Sequence, residues 1–252
     1  VYLRVRDFAD ESTTRDNAWQ IVNGINVFDL MNGGLAYISY FDDAESLPDI
    51  DINIATGKVN GYFHIDRTPD AEWKNLLDGE NYSKIDVIGK YTHLIYDKGA
   101  LRFGTPFSGL ALISRYDSIV AHQRLMMGLF KYGRNVKNRQ LALSGFSGGW
   151  YAGGLGIHLD LSWGVNSITN PQKLGLWGIA HEFGHINQIR PGLMWHGTVE
   201  VTTNIYSTWV TFHMKNPQEY YPRLESEVER PSPQAAPIAG GRFNGFLEDA
   251  LI

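Results

Sequence analysis

The sequence predicts an α+β fold in which a strand-rich N-terminal part, residues 1–70, leads into a mainly helical part, residues 71–252. Three observations carry that expectation. Residues 1–6 alternate apolar and polar with period two, and residues 34–41 are dense in β-formers. The register changes after Arg67-Thr68-Pro69. Beyond that point lie the long unbroken stretches with helical spacing.

Taken in chain order, residues 51–54 and 59–65 extend the strand pattern of 1–6 and 34–41. Asn32-Gly33-Gly34 and Thr56-Gly57 supply the turns. Short strands with such turns predict a small β-sandwich-like or open antiparallel unit. Residues 69–77 read as a short helix with Pro69 in its first turn, and residues 91–96 as a strand. Residues 115–132 carry Ile119, Gln123, Met126, Met127 and Phe130 at helical spacing, a helix of about five turns. The glycine-rich stretch 144–154 is expected to be irregular, with backbone able to approach a neighbour or ligand closely. Asn170-Pro171 reads as a helix start, a capping residue followed by proline. That helix then covers residues 174–189 up to Pro191-Gly192, and another covers 198–214, ending before Pro217. Residues 230–237 read as an extended connector.

Composition narrows the function classes. The chain has 252 residues, a formal charge of −5 and no cysteine. It is long enough to bury a substantial core. With 43% hydrophobic and 19% charged residues it is not a disordered chain. The missing cysteines exclude thiol nucleophiles, disulfide frameworks and cysteine-ligated metal sites. Mild acidity argues against nucleic acid as a partner, and no apolar run is long enough for a membrane span. No signal-like segment follows Val1, so the chain reads as a trimmed piece of a longer protein. The seven tryptophans and thirteen tyrosines suit either a bulky core or a groove with stacking platforms for sugars. Asp42, Asp43, Asp49 and Asp51 lack the ordered spacing of a calcium loop and read as a solvated loop.

The chemistry concentrates in His181-Glu182-Phe183-Gly184-His185. Positions four apart share a helix face, so both imidazoles can reach one ion. Glu182 lies about 100° round the helix, suited to hold a water as general base and not to ligate. A catalytic zinc needs three protein ligands and an open position. Glu200, with fourteen residues between it and His185, opens the next expected helix and can return as the third ligand. A third histidine in the spacing H-E-x-x-H-x-x-G-x-x-H is excluded by Gln188 and Pro191. The metal set is therefore His181, His185 and Glu200, a gluzincin arrangement on a zincin-like helical domain, with one Zn2+ as cofactor. Asn204, one turn beyond Glu200, is either an orienting partner for a ligand or an ordinary polar helix residue. Tyr151, His158, His196 and Tyr206 are candidates for a second oxyanion donor. His196, in the turn before Glu200, and Tyr151, after the glycine-rich loop, are the favoured two. Gln188 and Trp195 are substrate-side or supporting candidates, beside Asn187, Trp150 and Trp163.

Residues 177–188, reading WGIAHEFGHINQ, and residues 195–207, reading WHGTVEVTTNIYS, resemble the enhancin-type zinc metallopeptidases, peptidase family M60 and its relatives. The resemblance covers most of residues 85–215. It includes the glutamine three residues past the second histidine and the Glu-Val-x-x-Asn-Ile segment that carries the third ligand. It implies a secreted or surface enzyme that cleaves mucin-type O-glycosylated glycoproteins, with further carbohydrate-binding domains in the parent protein. Family domains usually continue with more helices, so residues 71–252 are expected to be a C-terminally truncated catalytic domain. Two alternatives stand beside this. One is a glycan-independent gluzincin protease, although the G-x-M-E-N-type segment usual in gluzincin aminopeptidases is missing. The other is a carbohydrate-binding adhesin with a vestigial metal site, against which the intact Glu182 speaks.

Overall fold

The computed structural model describes residues 1–8, 17–30, 33–40, 49–145, 147–189, 192–194 and 197–214. Asp42, Asp43, Trp195, His196 and the connector 230–237 lie outside the described residues. Near the N-terminus, β1 (Tyr2–Arg6) is flanked by β2 (Asn17–Gln20) and β3 (Leu35–Ser39) in a three-stranded antiparallel sheet. The main sheet has six strands: β4 (Tyr62–His64), β5 (Lys84–Ile88), β6 (Thr92–Asp97), β7 (Gln140–Gly145), β8 (Tyr151–Gly153) and β9 (Gly156–Asp160). Their order is β4-β5-β6-β7-β9-β8. The β4–β5, β6–β7 and β7–β9 pairs are parallel, while β5–β6 and the β9–β8 edge pair are antiparallel. The helices are α1 (Trp73–Asp78), α2 (Lys98–Gly104), α3 (Gly109–Met126), α4 (Asn166–Thr169), α5 (Leu176–Asn187) and α6 (Val199–His213).

Side-chain parity along the strands produces three layers. Ile85, Val87, Leu94, Tyr96, Ala142, Ile157 and Leu159 point to one face and bury against Leu112, Tyr116, Ile119, Ile179 and Phe183 of α3 and α5. Ile95 and Leu143 point the other way and pack with Leu35 and Tyr37 of the small sheet and with Phe8 just beyond β1. Between the sheets, Asp86 accepts from the Tyr37 hydroxyl at 2.9 Å and pairs with His93 Nε2 at 2.6 Å.

The structure is mixed α/β, and its strands do not stop at residue 70. Five of them lie between residues 84 and 160, and helices dominate only afterwards. The central strands are buried on both faces, so they lack the alternation that marks a half-exposed strand. Before residue 70, residues 51–54 form no strand, and β4 joins the main sheet instead of the small one. The 115–132 expectation corresponds to α3, which starts six residues earlier. Ser108 caps it by accepting from Ala111 N at 2.9 Å. It stops at Met126 because Gly128 takes a φ of +73°, the left-handed conformation that closes helices. Asn170 does not cap α5. Its side chain accepts from Gln172 N in a local turn, and α5 begins at Leu176.

Asp117 of α3 ties helix to sheet. Its buried carboxylate accepts from the backbone N–H groups of Lys90, Tyr91 and Thr92 at 2.6–2.9 Å and from the Thr92 hydroxyl at 2.8 Å. Asp117→Ala strands those donors at the β5–β6 turn. The expected loss is about 3 kcal/mol of unfolding free energy, read from urea denaturation; an unchanged midpoint would deny the carboxylate this role.

Candidate metal centre and cleft

α5 carries an apolar stripe and a polar one. Leu176, Ile179, Ala180 and Phe183 are buried in the core, while His181 and His185 lie half-buried on the flank facing α6. α6 reaches that flank because its inner side is built from Thr202, Thr203, Ser207 and Thr211. Hydroxyls of Thr203, Ser207 and Thr211 return to α6 carbonyls, so these short polar residues can be buried. Tyr206 lies over Gly184, where a Cβ would sit 3.2 Å from the tyrosine.

This packing brings Glu200, in the first turn of α6, to both histidines. Its Oε2 is 3.0 Å from His181 Nε2 and 3.3 Å from His185 Nε2. The two imidazoles stand nearly perpendicular, with centroids 4.9 Å apart. One donor atom from each of the three residues lies within 4.8 Å of the others. Two imidazole nitrogens and a carboxylate oxygen converging on one point fit a divalent metal ion.

The groups behind the histidines fix their tautomers. His181 Nδ1 is 3.0 Å from Asn204 Oδ1 and 3.1 Å from Thr203 Oγ1. Thr203 donates its own proton to the Glu200 carbonyl at 2.9 Å, so it can only accept from the ring. At His185 the partner of Nδ1 is Gln188 Oε1 at 3.4 Å. The Gln188 amide nitrogen donates to Val199 O at 2.6 Å and to Thr202 Oγ1 at 2.5 Å. That leaves the oxygen to face the imidazole. With an ion bound between them and Glu200, both rings would carry Nδ1–H towards these acceptors and present the Nε2 lone pair to the ion.

Glu182 is buried next to them. Burial pushes its carboxyl up to about 7; nearby His185 pulls it down, Glu200 adds to the rise, and the backbone N–H of Ala152 in β8 pulls it down. Glu182, His185 and Glu200 line a cleft of about 450 Å³. Tyr151, Ala152 and Gly153 of the edge strand form one wall, Glu182, His185 and Ile186 the floor, and Met194 and Val199 the far end.

The expected site residues divide as follows. His181, His185, Glu200 and Glu182 converge, with Asn204 and Gln188 behind the histidines. Tyr151 lines the cleft, exposed, its ring stacked on His158 at 4.5 Å. His196 and Trp195 lie outside the described residues. Tyr206 is buried and spends its hydroxyl on Asn187 O at 3.0 Å. Trp150 packs against the core and stacks on Trp163, which is 68% exposed. Asn187 and Gln188 are buried, not a solvated helix end. Thr203 and the Ala152 N–H were not anticipated. A threonine three residues after Glu200 was a visible signal, whereas a backbone donor leaves none.

A family described as peptidase M60, enhancin and enhancin-like, matches residues 59–234. TRPM8 channel-associated factor 3 of Rattus norvegicus is 27% identical over 213 residues, covering 79% of this chain and 22% of that protein. A metallopeptidase from Bacteroides thetaiotaomicron shares the fold with a TM-score of 0.70 at 18% identity, over 84% of this chain and 40% of that one. The M60 catalytic domain of ZmpC from Clostridium perfringens, in complex with the sialyl T antigen, aligns with a TM-score of 0.60 at 14% identity. That alignment covers 83% of this chain and 46% of that one. This chain thus spans about a fifth of the curated relative's length and less than half of either solved structure.

Gln188→Leu removes the acceptor that holds His185 in its tautomer. Metal affinity, titrated with Zn2+, is expected to fall by about 10–100-fold while the fold is retained. Affinity equal to that of the unaltered chain would reduce Gln188 to a helix–helix contact.

Proposed function

The chain belongs to the peptidase M60 family of enhancin and enhancin-like proteins, and we propose that its cleft is the active site of a secreted zinc endopeptidase that hydrolyses peptide bonds in mucin-type O-glycosylated glycoproteins. The observation that carries this is the meeting of His181, His185 and Glu200 beside buried Glu182, on a cleft walled by an edge strand. His181, His185 and Glu200 would hold the ion, with Asn204, Thr203 and Gln188 orienting the imidazoles. A bound zinc supplies Lewis acidity and lowers the pKa of water from about 15.7 towards roughly 7.

The chain's own residues do the rest. Glu182 accepts the proton of the attacking water and returns it to the departing amine. The edge strand β8 offers backbone N–H and C=O groups to an extended peptide, the usual way an open strand takes a partner segment. Tyr151, at the start of that strand, is the first candidate to donate to the developing oxyanion, and His196 is the second. Exposed Trp163, stacked on Trp150, and Trp195 are candidate platforms for a sugar ring. In this proposal the catalytic domain expected over residues 71–252 also takes in β4, which pairs with β5, and the three-stranded sheet of β1, β2 and β3 is a strand-rich subdomain.

Glycoprotein as substrate is supported by the similar M60 catalytic domain whose structure is in complex with the sialyl T antigen. Secretion and further carbohydrate-binding domains in the parent protein are part of this proposal and rest on the likeness to the peptidase M60 family. Among the described residues no helix is long and apolar enough to cross a membrane. A carbohydrate-binding adhesin has no use for a buried acid–base group beside the metal residues, which favours the enzyme.

The decisive measurement is mass spectrometry of an O-glycosylated mucin-type protein incubated with the zinc-loaded chain. Cuts beside glycosylated Ser or Thr, absent once the glycans are stripped, are the expected outcome; cuts that persist on the stripped protein would make it a glycan-independent protease. Glu182→Gln should retain one zinc per chain by elemental analysis yet lose activity by at least about 10²–10⁴-fold. Normal turnover by that variant would refute the mechanism. Metal removal with 1,10-phenanthroline should abolish cleavage, and added Zn2+ should restore it.

A further inference from the structure

Gln123 occupies a core position of α3, with zero exposure among apolar neighbours. Its amide is gripped twice by α5. Nε2 donates at 2.7 Å to the carbonyl of Ala180, the residue before His181. Oε1 accepts at 2.5 Å from Nδ2 of Asn187, two residues after His185. Asn187 Oδ1 in turn accepts from Gln140 Nε2 of β7 at 2.5 Å, and the Asn187 carbonyl accepts from the Tyr206 hydroxyl of α6 at 3.0 Å.

Positions 180 and 187 are two turns apart on one helix face. The two turns between them carry His181, Glu182 and His185. One buried amide therefore holds both ends of the metal-bearing segment from the side away from the cleft. The chain of donors runs in one direction, from Gln140 through Asn187 and Gln123 to the Ala180 carbonyl, so each link orients the next. At its head the Gln140 Oε1 atom is buried without a partner. A network selected for stability alone would gain by replacing all three amides with apolar side chains of similar shape. What the directional hydrogen bonds add to apolar packing is a further constraint on the rotation and axial register of α5.

We propose that Gln123 is a positioning residue for the metal centre, setting the register of α5 so that His181, His185 and Glu182 meet Glu200. This rests on the reading of the cleft as a zinc-peptidase site. The variants are Gln123→Met and the apolar triple Gln123→Met/Gln140→Met/Asn187→Leu, made in the full chain. Zinc affinity is measured by competition with a chromophoric chelator, thermal unfolding by circular dichroism, and kcat and KM on an O-glycosylated peptide.

Gln123→Met should weaken zinc binding by about 10-fold, the lower end of the range for lost supports behind metal ligands, and lower kcat with KM unchanged. The triple variant should recover thermal stability while its zinc affinity and kcat stay low. Wild-type zinc affinity in folded Gln123→Met, or recovery of affinity together with stability in the triple, would overturn the proposal and leave Gln123 a structural residue. If Gln123→Met does not fold, Gln140→Met tests the chain from its far end, and zinc affinity equal to wild type there overturns it as well. A wild-type chain that binds no zinc would instead overturn the reading of the site itself, a separate outcome.

Discussion

The contact between Gly184 and Tyr206 sets the distance on which the candidate metal centre depends. Two histidines on one helix can face an ion from a single side, and the third donor must come from another element. The α6 helix can deliver it only if its axis lies close enough for a carboxylate to reach both imidazoles. A side chain at position 184 would push against Tyr206 at 3.2 Å. Such a displacement would move Glu200, six residues earlier on the same helix, away from distances of 3.0 and 3.3 Å. The same tyrosine donates to the Asn187 carbonyl at the end of α5, so the close approach and the closure of α5 are secured by one residue.

Around that contact the hydrogen bonds are arranged so that few protons are left ambiguous. Thr203 spends its proton on Glu200 O and Gln188 spends both amide protons on α6 and its leading turn. The acceptors left over face the two Nδ1 atoms. Helix contacts that stabilise the α5–α6 pair are therefore the contacts that decide ring tautomer, and the two tasks cannot be separated by sequence position. The pair is held from behind by Gln123 and Asn187, and the amide network continues into β7 through Gln140.

Much of this was legible in the sequence, for physical reasons. The residues of the candidate metal centre could be brought together on paper because helix geometry converts four-residue spacing into a shared face, and α5 and α6 fall within two residues of their expected bounds. The roles of Asn204 and Gln188 could be suspected but not assigned, since a polar residue on a helix has the same spacing whether it meets water or an imidazole. The central strands hid because burial on both faces erases alternation, and α2 and α4 are too short for a period to register. Gln123 was legible only as an anomaly, a polar side chain in a row of core positions.

The width of the cleft follows from a residue whose role the composition left open. Trp150 sits just before β8 and lies over Gly175 and Gly178 of the α5 segment, while its indole N–H donates to Asp160 O at 3.2 Å at the end of β9. It therefore wedges between the edge strand and the metal helix. The wedge holds β8 at the spacing where the Ala152 N–H reaches Glu182 and where Tyr151 faces the opening. Aromatic content did not have to choose between core and platform, because Trp150 is packed on one side and supports exposed Trp163 on the other. The edge strand and the metal residues are thus set by separate contacts, Trp150 on α5 for the wall and Tyr206 on Gly184 for the floor, and α5 is the element on which both converge.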